Sequence, residues 1–194
     1  MGRPQSFDTP AIIRSARGVF WAQGYESASL PDLERATGLR RSSIYHAFGS
    51  KRGLFDAAIS SYLDEVIHPL LSPLQSEGPS PDAVENYLVR LRAGLTANEG
   101  SLGCLLLRAA ASPIGQDPEI AGIVSGYRRE LTAALVQGVR ARHPEVAPDA
   151  VAHLASILTA LVITAMTLAP VDREAAIAAI DTARGVNVGG VVAN

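Results

Sequence analysis

Apolar residues in this chain recur every three or four positions, the spacing that places side chains on one face of an α-helix. Ile12, Ala16, Val19 and Phe20 form the first such stripe, with Thr9 as the expected N-cap, Pro10 at the first helical position and Gly24 as the stop. Leu30, Leu33 and Ala36 form the second. Ser29 is placed to cap it, Pro31 and Asp32 fall in its first turn, and Gly38 supplies the positive φ that a chain leaving a helix needs. Leu39 follows as an apolar plug. A third helix opens at Arg40 or Arg41 and runs to Ala47, with Ile44 and Phe48 four apart on its inner side. Ser50 caps a fourth, longer helix whose stripe runs through Leu54, Phe55, Ala58, Ile59, Tyr62, Val66 and Ile67; His68-Pro69 is its expected end.

The stretch from Leu70 to Asp82 is rich in proline, serine and glycine and reads as a broken connector. Helical spacing returns after Ser80-Pro81 with Val84, Tyr87, Leu88, Leu91 and Leu95, and breaks between Gly100 and Gly103. A further helix opens at Gly103-Cys104 and ends near Ser112-Pro113. Another starts at Asp117-Pro118, turns Ile120, Tyr127, Leu131, Leu135 and Val139 inward, and stops at His143-Pro144. The next runs from Pro148-Asp149 to about Ala169. The last starts near Asp172 and carries Ala176, Ile177 and Ile180; the uncharged tail from Gly185 to Asn194 has no helical period and reads as irregular. The fold class is all-α. The helix after Pro148 is apolar around most of its surface, so a second copy of the chain is expected to cover it, with Leu154, Leu158, Leu161, Ile177 and Ile180 at the contact.

Composition supports this pattern. Of the 194 residues 47% are hydrophobic and only 5% aromatic, a balance that favours helix over sheet. The net charge of −2 argues against a general nucleic-acid binder, but the charge is unevenly spread. Residues 1–55 hold eight Lys/Arg against four Asp/Glu (+4), and residues 56–194 hold nine against fifteen (−6). Cys104 is the only cysteine, which excludes an internal disulfide or a cysteine-rich zinc site. The four histidines, His46, His68, His143 and His153, are scattered. Neither an HExxH motif, a phosphate-binding glycine loop nor a serine elbow is present, so the sequence gives no support to an enzyme and calls for no cofactor or metal. The most apolar stretch, Ile157 to Ala169, is interrupted by three threonines and is short for a membrane span, and the N-terminus lacks a signal sequence; a cytoplasmic protein is expected.

The basic end contains the chemistry. Two short helices around the Gly38 turn make a helix-turn-helix, and the outer face of the second carries Arg41, Ser42, Tyr45 and His46, groups suited to base edges and phosphate oxygens. From about Thr9 to Leu63 the residues Phe20, Gly24-Tyr25, Ser29, Asp32-Leu33, Ala36-Thr37-Gly38-Leu39, Ser43-Ile44-Tyr45-His46, Phe48, Ser50-Lys51 and Leu54-Phe55 resemble the N-terminal domain of TetR-family transcriptional regulators. The resemblance covers roughly the first third of the chain. It implies that Tyr45, His46 and Lys51 contact phosphates and that Arg40, Arg41, Ser42 and Ser43 lie near base edges. Arg3, in the N-terminal arm, is a candidate for an adjacent minor groove. The chain departs from the family at Ala28, where a phosphate-binding threonine is common, leaving Ser27 or Ser29 as substitutes; at Ser42, often glycine; and at Ala47, often aromatic.

The resemblance further implies two domains. Residues 1–50 form the arm and DNA-binding domain, and residues 51–194 a helical ligand-binding and dimerisation domain, joined by the fourth helix. The expected protein is a homodimeric repressor that a small, largely apolar effector releases from a palindromic double-stranded DNA operator. Tyr62, Tyr87, Leu91, Cys104, Tyr127, Leu158 and Met166 are the candidate pocket residues. The alternative is an architectural or adaptor protein that binds DNA without an effector.

Overall fold

The computed structural model describes residues 8–97 and 102–189, and every regular element among them is a helix. Arg3 lies outside the described residues. The N-terminal unit consists of α1 (Thr9–Gln23), α2 (Leu30–Thr37) and α3 (Arg41–Phe48). Asp8 rather than Thr9 caps α1: its carboxylate accepts the Ala11 N–H at 3.1 Å, and its charge suits the positive end of the helix better than a hydroxyl does. Ser29 and Asp32 form a capping box on α2, and Gly38 turns the chain at φ 70°. Phe20 is fully buried, with its ring edge-on to Phe55 at 5.1 Å; Leu33, Leu39 and Ile44 pack in the same core.

One helical rod leaves this unit. It comprises α4 (Lys51–Tyr62), a π-helical turn at Leu63–Ile67 and α5 (His68–Gln75), with no break between them. The expected stop at His68-Pro69 is therefore incorrect. The His68 N–H reaches back five residues to the Leu63 carbonyl, and this wide turn accommodates Pro69, which has no N–H to contribute. Pro73 also lies inside α5, so half of the expected connector is helix.

The remaining elements are α6 (Ala83–Ala97), α7 (Leu105–Ala110), a 3-10 turn at Pro113–Gln116, α8 (Pro118–Arg142), α9 (Pro148–Leu168) and α10 (Arg173–Gly189). The first part of the tail, expected to be irregular, continues α10 because Ala183 and Asn187 are buried. α9 packs against both α8 and α10. By length and composition alone α9 is apolar enough to cross a membrane, but here it buries Val151, Leu158 and Val162 against its neighbours. Leu154, Leu158 and Ile180 are only 3%, 0% and 0% exposed within one chain. They belong to its own core and are not available to a second copy, a correction to the expected contact. Leu161 and Ile177 are partly exposed.

Arg52 fastens the rod to α8. Its guanidinium donates two hydrogen bonds to Asp117, at 2.8 and 3.1 Å, and others to Asp56 (2.7 Å) and Glu119 (3.0 Å). Asp117 also caps α8 by accepting the N–H groups of Glu119 and Ile120. Arg14 and Arg17 of α1 both pair with Glu65 of the π turn. Arg17 donates further to the Ser61 carbonyl and hydroxyl at 2.9 and 2.8 Å.

Two measurements check these assignments. A Cβ at Gly53 would lie 2.0 Å from the Phe48 carbonyl oxygen, where α4 starts against the end of α3, whereas one at Gly18 meets nothing within 4 Å. Gly53→Ala should therefore cost about 1–3 kcal/mol in chemical denaturation, while Gly18→Ala should be stabilising by roughly 0.5–1 kcal/mol. Arg52 holds the Asp117 carboxyl at about 2, below its ordinary 3.8. A depressed carboxylate pKa contributes stability that is complete above the ordinary value and is lost as pH falls through the lowered one. The stability difference between the native chain and Asp117→Asn should thus be constant at neutral pH and shrink between pH 4 and pH 2.

Candidate DNA interface and ligand cavity

α3 rests on fully buried Ile44, which turns its opposite side to solvent. Arg40, Arg41, Ser42, Tyr45 and His46 are exposed there, and Ser43 is half-buried. The Arg41 guanidinium lies 5.5 Å from the centre of the Tyr45 ring, an arrangement that holds both side chains before any partner arrives. The Arg41 N–H also donates to the Glu34 carboxylate at 2.5 Å, which ties α3 to α2 across the turn. The reading face is thus a rigid, exposed cluster with one planar guanidinium braced on a phenol.

The supporting positions are less free. Lys51 stands at the start of α4, capped by Ser50, but its ammonium sits 4.6 Å from the Tyr25 ring centre and donates to the Glu26 carbonyl at 3.3 Å. Desolvation lowers its pKa. The Ser29 hydroxyl is committed to the capping box: it donates to the Asp32 carboxylate at 2.5 Å and accepts the Asp32 N–H at 3.2 Å. Ala28 is fully buried and Ser27 is exposed, so Ser27 is the hydroxyl at this corner that is open to a phosphate.

A second site lies behind the rod. A cavity of about 660 Å³ has Tyr62, Val66 and Ile67 of the rod on one side and Tyr87 and Leu91 of α6, Cys104, Tyr127 of α8 and Met166 of α9 around it. Six of the seven expected pocket residues meet here. Leu158 does not: it points into the packing of α9 and does not line the cavity. Of the lining residues that the sequence reading did not name, two bear on the chemistry. Trp21 comes from α1, in the DNA-binding unit, and its ring meets Tyr62 edge-on at 5.0 Å. No local pattern separates it from an ordinary packing tryptophan. Arg90 lies one helical turn after Tyr87, a spacing that does place both on one face.

The chemistry of the cavity is neutral and donor-rich. Burial is the main cause that pushes the pKa of Tyr62, Tyr87 and Tyr127 well up, and the Cys104 thiol is pushed up for the same reason. All four groups therefore stay uncharged at neutral pH. Arg90, exposed at the edge, is the only charged lining residue among the described ones. Among the described residues no three His, Cys, Asp or Glu side chains are grouped as a metal site.

Comparison with known proteins agrees with this geometry. Residues 12–58 match the family model described as bacterial regulatory proteins, tetR family. The chain is 32% identical over 139 residues to the uncharacterized HTH-type transcriptional regulator YezE of Bacillus subtilis (strain 168), spanning 72% of each protein. It is 30% identical over 167 residues to the HTH-type transcriptional repressor ComR of Escherichia coli (strain K12), spanning 83% of this chain and 79% of that one. It is also similar, with a TM-score of 0.79 and 30% identity over 94% of this chain and 98% of the other, to a cysteine mutant of the TetR-family regulator CifR complexed with 26-base-pair double-strand operator DNA. A helix-turn-helix with an exposed basic reading face, an all-helical body behind it and relatives matched over most of their length lead to one assignment: this chain belongs to the TetR family of transcriptional regulators, which are DNA-binding proteins and not enzymes.

Proposed function

We propose that this protein is a homodimeric repressor that a small, largely apolar effector releases from a palindromic operator. The observation that carries this reading is the rod. Its first residue, Lys51, stands beside the DNA-reading helix, and Tyr62, Val66, Ile67, Leu70 and Leu71 further along form a wall of the cavity. A ligand that changes the rod's packing necessarily moves the reader. The π turn is the place where this movement would concentrate, since π turns strain regular helix and accommodate one extra residue. One side of the turn faces the cavity through Val66 and Ile67; Glu65 on the same turn holds Arg14 and Arg17 of α1. For release, the effector must bind the non-operator arrangement more tightly than the operator-bound one.

The division at residue 50 is functional rather than structural, because Leu54, Phe55 and Ala58 of α4 complete the core of the DNA-binding unit. Two copies would present their reading helices about 34 Å apart, one turn of duplex. The contact surface that suits this is the outer face of α9. Ala152, Ser156, Ile157, Ala160 and Thr164 are exposed there, Leu161 is partly so, and none is charged. Such a helix face is expected to be covered by a like face. An architectural or adaptor protein without an effector would leave the cavity unused. A cavity of this size lined mostly by apolar and aromatic side chains with a few hydroxyls is the form of a small-molecule site, which favours the ligand-responsive reading. The protein acts where its operator is, in the cytoplasm.

Sites selected from a random DNA library should yield a two-fold symmetric consensus. Lys51→Ala should weaken binding to all sequences alike and reduce the salt slope by about 1. Arg41→Ala should relax preference at one or two base pairs, at a cost of about 1–3 kcal/mol for the preferred base. Unchanged affinity in the first or an unchanged consensus in the second would remove that residue from the interface. Ile157→Glu combined with Leu161→Glu should convert dimers to monomers in sedimentation; a double mutant that remains dimeric places the contact elsewhere.

A further inference from the structure

The cavity lining has an imbalance that identifies the chemistry of its ligand. Among the described lining residues none is an aspartate, glutamate, asparagine, glutamine, serine or threonine. The polar groups that they contribute are, apart from Arg90, the hydroxyls of Tyr62, Tyr87 and Tyr127 and the Cys104 thiol. The three tyrosines and the cysteine are each at most 5% exposed, and they act on one another's ionisation, so their polar atoms cluster in one region. A phenol hydroxyl donates readily, and a buried donor left unmet costs free energy that an acceptor returns.

We infer that the effector is a neutral, mostly apolar molecule that carries a carbonyl-type oxygen acceptor, seated against the tyrosine hydroxyls. This rests on the ligand-responsive reading above and adds the class of ligand. No carboxylate among the described lining residues would balance a cationic amphiphile. An anion does not fit either. The only lining cation among the described residues, Arg90, lies at the exposed edge, and the buried end that holds the phenols would leave a carboxylate desolvated without a counter-charge. A carbonyl oxygen accepts two donors while remaining neutral, and an apolar ring system fills the space bounded by Val66, Ile67, Leu91 and Met166.

Trp21 is the only tryptophan of the chain, so its fluorescence reports on the cavity directly. Four probes of one shape separate the possibilities: naphthalene, 2-acetonaphthone, 2-naphthoate and 2-naphthylmethylammonium, each titrated at pH 7.5 against the full-length protein. The ketone is expected to quench Trp21 at a concentration at least about tenfold lower than the other three, the value of one or two hydrogen bonds in a dry site. In the double variant Tyr62→Phe, Tyr127→Phe the ketone should lose that advantage while naphthalene binds as before, which shows that the cavity persists. Naphthalene binding as tightly as the ketone overturns the acceptor inference and leaves the ligand-responsive reading in place. Tighter binding of the carboxylate or of the ammonium overturns it in favour of a charged ligand, again with the cavity reading intact. Failure of all four probes to quench Trp21 overturns the inference and the ligand-responsive reading together.

Discussion

The architecture depends on one uninterrupted run of helical backbone from Lys51 to Gln75. At its start, Leu54 and Phe55 complete the core that fixes α3; further along, Tyr62, Val66 and Leu71 bound the cavity. Had Pro69 broken the helix, as its chemistry alone predicts, the wall formed by Tyr62, Val66 and Ile67 would have ended there, and Leu70 and Leu71 would no longer continue it. The π turn avoids this. By drawing the His68 N–H back to Leu63 it opens the helix by one residue just before the proline, and the ring is accommodated with continuity preserved.

Charged side chains hold the rod at defined points on both sides. Arg52 binds Asp117, which at the same time caps α8, so loss of that one carboxylate weakens both an ion pair and a helix start. On the other side Glu65 collects Arg14 and Arg17. Glu26 accepts the Ile114 N–H at 2.7 Å and joins the loop after α1 to the 3-10 turn before α8. These contacts are mostly part-exposed, and such pairs contribute modestly to stability. Their importance is geometric: they restrict how the DNA-binding unit sits on the body, and a movement of the rod has to rearrange them. The cavity is walled by the same rod, so the proposed effector response would act through these contacts.

The candidate DNA-contact positions show how a pattern in sequence differs from a group available for contact. Arg41, Tyr45 and His46 are exposed as their helical spacing requires, because Ile44 and Phe48 turn the opposite side of α3 to the core. Lys51 and Ser29 occupy the expected places, yet both are engaged, one with Tyr25 and Glu26 and the other with Asp32. A phosphate reaching them has to replace interactions that already exist. Such positions are suited to adjusting affinity more than to creating it.

By itself the sequence determined the helical class, the helix-turn-helix and its outward face, and six of the residues around the cavity. Those features follow from local physics: a period near 3.6, caps such as Ser29 and Asp117, the positive φ at Gly38, and burial of the largest apolar residues on each stripe. The tertiary structure decided what depends on partners far away in the chain. It converted the His68-Pro69 stop into a π turn, extended α10 over buried Asn187, and paired Arg14 and Arg17 with Glu65. It also assigned Leu154, Leu158 and Ile180 to the interior of a single chain and brought Trp21 from the DNA-binding unit to the cavity. Helical period shows that a side chain is buried, but which element buries it is set by how helices distant in sequence pack together, and that information is not local.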